Sequence, residues 1–307
     1  MLAHSSLKAR EATRTRTAAL GLVLGTLLSA CASEIGATAA FNGGLALDAA
    51  AEQVAFGPRF PGSPGHTEIQ EWIARELEAR GWAVERQAFE YAGVPLLNLI
   101  ATRSETKGPF ILLAAHYDTR RLADRDGIDP SAPVPGANDG ASGTSVLIEL
   151  ARVIPGHEFA CDIRLAFFDA EDGGGAVGWE FSLGARHMAS TLTDEPQAVV
   201  VLDMVGDRDL RLPIEGNSTP ELVEAIWSAA QAEGLTAFVD DPGPSIIDDH
   251  LPFIERGWPA VDIIDFTYPS WHTTQDTLDK LSAESLEQVG RGVLAWLKAT
   301  CGADEIQ

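Results

Sequence analysis

The stretch Phe167-Phe168-Asp169-Ala170-Glu171-Asp172 ends an apolar run in three acids, and Gly173-Gly174-Gly175 follow at once. Adjacent carboxylates such as Glu171 and Asp172 repel each other unless a cation or a shared proton divides their roles. One of them can then bind metal while the other moves protons. An isolated acidic pair is more often a solvated turn, so the reading depends on what else reaches the same edge of the fold. Two further apolar runs stop at groups of the same kind. Phe110 to Ala115 ends in His116-Tyr117-Asp118, and Ala198 to Leu202 ends in Asp203. Asp139 stands at a loop-to-helix junction, and His272 follows Trp271. Strand ends on one edge of a sheet converge in space. Carboxylates and imidazoles converging there make an oxygen and nitrogen site suited to zinc. Taken singly, His116 fits a structural histidine and Asp139 a helix N-cap; their joint occurrence is a poor match to chance.

The elements that must hold these groups follow from periodicity. Leu45 to Phe56 predicts a first helix. Gly57 to Gly65, with Pro58, Pro61 and Pro64, excludes helix and central strand. Ile69, Trp72, Ile73 and Leu77 recur at helical spacing, and Gly81 ends that helix. Trp82 to Tyr91 and Leu96 to Thr102 predict two strands close enough to form a hairpin. Phe110 to Ala115 and Ala198 to Leu202 are short apolar runs of the buried-strand type, Ile163 to Phe168 is a mostly apolar one, and Ala260 to Ile264 predicts a last strand. Arg120 to Gly136 is charged and proline-bearing, which predicts a surface loop. Thr219-Pro220 predicts an N-cap and first helical position. Leu286, Val289, Val293, Leu294 and Leu297 line one face of a C-terminal helix closing at Gly302. This alternation predicts a single α/β domain over 43–307: a three-layer α/β/α sandwich with a mixed, mostly parallel central sheet.

The chain has 22 basic and 45 acidic residues, a net formal charge of −23. That argues against nucleic acid, since phosphate binding needs clustered Lys and Arg. The basic excess lies at the start: Lys8, Arg10, Arg14 and Arg16 precede an apolar stretch, Ala18 to Leu28, too short to span a membrane comfortably. Leu28-Ser29-Ala30-Cys31 then resembles the bacterial lipobox. The resemblance implies a signal peptide over 1–30, a lipidated Cys31 anchoring an exported chain to the cell-envelope membrane, and a tether over 31–42. Loss of 1–30 removes four basic residues and one acid, so the net charge moves from −23 to −26. Cys161 and Cys301 remain. They could pair in an oxidising compartment, although sequence does not establish proximity.

The order Ala115-His116-Tyr117-Asp118, Gly136 to Gly143 (Gly-Ala-Asn-Asp-Gly-Ala-Ser-Gly), Phe168-Asp169-Ala170-Glu171-Asp172, Leu202-Asp203 and Trp271-His272 resembles the zinc-exopeptidase metallopeptidase family across residues 45–300. Within it, Ser182 to His187, Asp248-Asp249-His250-Leu251-Pro252-Phe253 and Trp271-His272-Thr273 look like the glutaminyl-peptide cyclotransferases, or glutaminyl cyclases. The resemblance implies that Asp139, Asp172 and His272 bind one zinc. It makes Glu171 the proton carrier, with Asp203 and Asp248 in an acidic network around it, and Trp271, Trp179 and Tyr268 the walls of a small pocket. The implied substrates are peptides or proteins with N-terminal glutamine, and the chain is expected to act as a monomer. Two departures stand out: the cysteine pair of the animal cyclases is absent, with Ala115 at one of its positions, and Asp172 replaces their glutamate. The main rival is a two-zinc aminopeptidase in which His116 and Asp203 bind a second ion and Asp139 bridges. A binding protein on an inactive peptidase fold is a further alternative. Asp248 also fits an N-cap, Asp249-His250 a structural pair, and Trp271 and Trp179 ordinary core residues.

Overall fold

The apolar run Phe110–His116 is a strand buried along its whole length. Ile111, Leu113 and Ala115 belong to one apolar cluster, and Phe110, Leu112 and Ala114 to another. A strand's period of two sends alternate side chains to opposite faces, so a continuous apolar run is what two covered faces require. The computed structural model describes residues 40–103, 110–175 and 178–302, which fall within one unit, 38–307. The expected signal peptide, Cys31 and nearly all of the tether lie outside the described residues.

In chain order the strands are β1 (Ala83–Tyr91), β2 (Val94–Thr102), β3 (Phe110–His116), β4 (Asp162–Phe168), β5 (Pro196–Asp203), β6 (Leu212–Ile214), β7 (Phe238–Pro242) and β8 (Ala260–Ile264). The α-helices are α1 (Gly43–Ala55), α2 (Pro64–Ala79), α3 (Ala141–Val153), α4 (Leu183–Thr191), α5 (Pro220–Ala232), α6 (Leu251–Glu255) and α7 (Ala283–Cys301). The main sheet runs β1-β2-β4-β3-β5-β8. β3 pairs in parallel with β4 and β5, and β5 with β8. β1 and β2 form the expected hairpin, and β2 runs antiparallel to β4, so the sheet is mixed. The hairpin turns on Ala92 and Gly93, both at positive φ, as a tight two-residue connection requires. β6 and β7 form a small parallel pair that the sequence did not predict.

Helices cover both faces. Residues of α1, α2, α3, α5 and α7, among them Ile73, Leu147, Ile226 and Val293, pack with Leu113, Leu165 and Val200. On the other face Met188 of α4 and Phe253 of α6 pack with Leu112, Phe168 and Val199. Ser63 caps α2 as its type predicts, its hydroxyl accepting from the His66 N–H at 3.2 Å with Pro64 following. Thr219 stands at the N-cap position of α5 but departs from expectation. Its hydroxyl accepts from the Ala260 N–H at 3.0 Å and ties the helix start to β8.

Cys161 and Cys301 are joined in a disulfide, their Cα atoms 5.5 Å apart. The bond fastens the residue before β4 to the last residue of α7 and links positions 140 residues apart. It therefore closes a long loop at the amino end of β4, the opposite end from its acids. Cys301→Ser is expected to lower the unfolding free energy by about 2–4 kcal/mol. Its specific activity at 25 °C should stay near that of the parent. Denaturant unfolding checks this; an unchanged midpoint would show the bond to be dispensable.

Candidate active site

Because β3, β4 and β5 are parallel, their carboxyl ends share one edge, and the residues after each strand meet there. The three acids after β4 take three different environments. Asp169 turns away from the others and is fully buried. Its carboxylate meets His66 Nε2 at 2.7 Å and accepts from the Leu97 N–H at 2.7 Å. Ala170 then reverses the chain at φ 55°. The amides of Ser182, Leu183 and Gly184 donate to the carbonyls of Glu171, Ala170 and Asp169. A Cβ on Gly184 would stand 2.6 Å from the Asp169 carbonyl oxygen, so this close approach needs glycine. From the β3 side, Asp118 accepts from the Glu171 N–H at 3.0 Å and the Asp172 N–H at 3.3 Å. One carboxylate thus fixes the backbone of both site acids.

Asp139 arrives from the loop before α3. The amides of Asn138 and Asp139 donate to Asp276 at 2.8 and 3.1 Å, and Tyr268 donates its hydroxyl to the same carboxylate at 2.8 Å. Gly143, one turn into α3, packs against β5: a Cβ there would lie 2.0 Å from the Leu202 carbonyl oxygen. Only glycine lets the helix bring Asp139 this close to Asp203.

Two groups of ligand-type side chains result, both buried: Asp139, Asp172 and His272, and His116, Asp139 and Asp203. In the first, His272 Nε2 lies 3.2 Å from Asp172 and 3.7 Å from Asp139. In the second, His116 Nε2 lies 3.1 Å from Asp203 and 3.3 Å from Asp139. Asp139 Oδ2 and Asp172 Oδ2 are buried without hydrogen-bond partners. Orphaned carboxylate oxygens beside an imidazole are costly unless a cation joins them. The donor set of two oxygens and one nitrogen suits zinc and leaves an open position.

A cavity of about 220 Å³ opens on the first group. Glu171, Asp203 and Asp248 line it beside the metal-type residues, and Trp271, Phe181, Phe266, Met204, Ile246 and Ile247 supply its apolar wall. Burial pushes the Glu171 carboxyl well above the usual range, and the charge of Asp248 adds to it. Burial raises Asp248 to about 7, helped by Asp203. Burial likewise raises Asp172 to about 6, with Asp139 adding to it and His272 and Arg120 opposing. For Asp139 burial pushes the same way, but the hydrogen bond and charge of His116 outweigh it and hold the group below the usual range. Two roomier clefts, about 410 and 360 Å³, lie near Cys161 and α7, and neither gathers a metal-type group among the described residues.

The structure therefore brings Asp139, Asp172, His272, Glu171, Asp203, Asp248 and Trp271 to one cavity, with His116 beside them. It does not bring Trp179 or Tyr268 to the wall. Trp179 packs edge-on against Tyr91, their ring centroids 5.4 Å apart, and beside Leu96 and Leu183. Tyr268 is buried and acts through Asp276. Sequence reasoning missed Phe181, Phe266, Met204, Ile246 and Ile247. The Ile246-Ile247 pair directly before Asp248 was the available signal, an apolar pair abutting a site acid. Among the described residues five non-glycine residues have positive φ, and four of them, Ala170, Ser182, Met204 and His272, adjoin or line this cavity. Such strain persists where surrounding contacts over-determine the backbone.

The chain is similar in sequence and fold to known proteins. The bovine glutaminyl-peptide cyclotransferase-like protein is 27% identical over 283 residues, covering 80% of this chain and 72% of its own. The crystal structure of Bacteroides thetaiotaomicron glutaminyl cyclase bound to N-acetylhistamine superposes with a TM-score of 0.80 at 31% identity, covering 85% of this chain and 99% of that one. A Zn-dependent exopeptidase from Parabacteroides distasonis gives 0.79 at 30% identity, covering 86% and 99%. The description "Peptidase family M28" matches residues 98–297. With the site assembled from the same stretch, the chain belongs to peptidase family M28, on its glutaminyl-peptide cyclotransferase branch.

Proposed function

We propose that the chain cyclises the N-terminal glutamine of peptides and proteins to pyroglutamate, releasing ammonia, with one zinc held by Asp139, Asp172 and His272. One observation carries the reading. Glu171 and Asp172 are neighbours in sequence but part in space: Asp172 joins the metal-type group, and Glu171 lines the same cavity outside both such groups. A zinc ion in that group would supply Lewis acidity toward the γ-carbonyl of the substrate glutamine. Glu171 accepts a proton from the α-ammonium, freeing the amine to attack the carbonyl carbon of the γ-carboxamide and close the ring. It gives that proton to the amide nitrogen as the bond to the carbonyl carbon breaks, and takes up the second proton that the ring nitrogen sheds, which leaves with the ammonia as ammonium. A carboxyl pushed above its ordinary range by burial holds a proton more readily than an exposed one. Asp203 and Asp248 keep that carboxyl in an acidic environment. Trp271, Phe266 and Phe181 exclude water, whose attack would give glutamate instead.

The aminopeptidase reading has its own support in the second group, His116, Asp139 and Asp203. Mass spectrometry on peptides starting with glutamine and with leucine separates the two. The cyclase reading expects an intact backbone that has lost ammonia from the glutamine peptide alone. A freed first residue from both peptides would establish the two-metal peptidase.

We further propose that the chain is exported and membrane-anchored through a lipid on Cys31, and that it acts as a monomer. The Leu28-Ser29-Ala30-Cys31 sequence supports the anchor, and the Cys161–Cys301 bond supports an oxidising compartment. Native protein should sediment with membranes and Cys31→Ser should not; a soluble parent with an unmodified N-terminus rules the anchor out.

A further inference from the structure

The loop expected only to cover the sheet, 120–136, reaches into the site through two side chains. Arg120 is nearly buried, with 3% of its side chain exposed. Its Nη1 donates to Asp172 Oδ1 at 2.8 Å and to the Asp172 carbonyl at 3.1 Å. The rest of the guanidinium forks onto Asp124, Nε to Oδ1 at 2.7 Å and Nη2 to Oδ2 at 2.9 Å. Asp124 Oδ1 in turn lies 3.4 Å from His272 Nδ1, the ring nitrogen facing away from Asp139 and Asp172. The same loop holds the His272 backbone. The Arg125 N–H donates to the His272 carbonyl at 3.2 Å, and the Arg125 guanidinium stacks 4.0 Å from the centroid of Trp271.

We propose that Arg120 and Asp124 are positioning residues that couple Asp172 to His272 and present both to the metal. The inference rests on the reading that those two residues are ligands. The fork fixes Asp172 through Oδ1 and its own carbonyl, which leaves Oδ2 the orphaned atom available to a cation. Asp124 Oδ1, 3.4 Å from Nδ1, favours the tautomer in which Nδ1 is protonated and Nε2 carries the free lone pair. A histidine ligand needs such a partner on its other nitrogen. A charge-neutralising role for Arg120 and a positioning role predict opposite signs. A cation beside a metal repels it, so a purely electrostatic Arg120 would weaken binding and its removal would tighten it. As a positioning group its removal loosens binding.

The test is zinc affinity by chelator competition on the full-length protein, with the visible spectrum of the cobalt(II)-substituted enzyme as a second readout. Asp124→Ala and Arg120→Met should each loosen zinc by roughly 10–100-fold and shift the cobalt spectrum. The double variant should lose little more than the worse single one, because both act through one fork. Asp124→Asn should recover only part of the loss, since its amide oxygen can still face Nδ1 but its amide nitrogen cannot accept from the guanidinium. Arg120→Lys should not recover it, since an ammonium cannot fork onto two acids. Asp124 is 43% exposed, so its variants test the idea even where the buried Arg120 is needed for folding. Wild-type affinity and spectrum in Asp124→Ala, or tighter zinc in Arg120→Met, overturns the inference. The ligand reading beneath it is tested separately by His272→Ala: retained zinc there would remove the ligand set itself.

Discussion

Replacing Glu171 with Gln is expected to leave zinc content and binding of an N-terminal glutamine intact while lowering ammonia release by roughly 10²–10⁴-fold. Gln keeps the length and shape of the side chain but cannot take up a proton. The backbone of residue 171 is held by Asp118 and Ser182, not by its own carboxylate, so the turn should survive. The loss belongs in kcat more than in KM, because proton movement is made in the transition state. Burial and the charge of Asp248 oppose a negative charge at this position, so the neutral amide relieves a like-charge cluster. Protein stability should therefore be unchanged or slightly raised. Zinc analysis, thermal unfolding and single-turnover kinetics check the three parts. Loss of zinc together with activity would place Glu171 among the ligands and undo the division of labour with Asp172.

His272→Ala is expected to lose zinc and turnover together. The site has three candidate ligands, and removing one leaves two carboxylates with orphaned oxygens and no imidazole. The affinity loss should exceed the ~10–100-fold that even an outer partner costs. His272 sits at φ 58°, a conformation disfavoured for most residues but tolerated by Asn. His272→Asn therefore serves as the second variant. It keeps the backbone and should bind zinc no better than alanine does. Zinc retained at parent stoichiometry in both variants would remove His272 from the site.

Much of this was legible because burial leaves a mark on composition. β3 and β4 are covered on both faces, so β3 reads as an unbroken apolar run and β4 as one interrupted only by Arg164, and each ends abruptly in ionisable groups. Convergence of those groups followed from parallel strands sharing one carboxyl edge. What could not be read depends on contacts distant in sequence. β6 is three residues around Pro213 and shows no period. The hydroxyl of Thr219 chose the Ala260 amide over its own helix. Trp179 and Tyr268 pack elsewhere, and Phe181, Phe266, Met204 and the Ile246-Ile247 pair stand beside Trp271 in the wall. Whether an aromatic faces a cavity or a neighbouring strand is settled by packing that residue type does not record. The separate fates of Asp169, Glu171 and Asp172 turn on one left-handed residue, Ala170. Arg120 reads as a loop charge bound for water, and only the fold reveals its two acidic partners.

Ammonia release from a glutaminyl dipeptide, measured before chelation, after chelation and after zinc is restored, tests the central claim most directly. The account predicts ammonia with pyroglutamate formed in equal amount, loss of both on chelation, and recovery of both with zinc. Ammonia release that is indifferent to the chelator, or cleavage of the dipeptide into free amino acids, would contradict it.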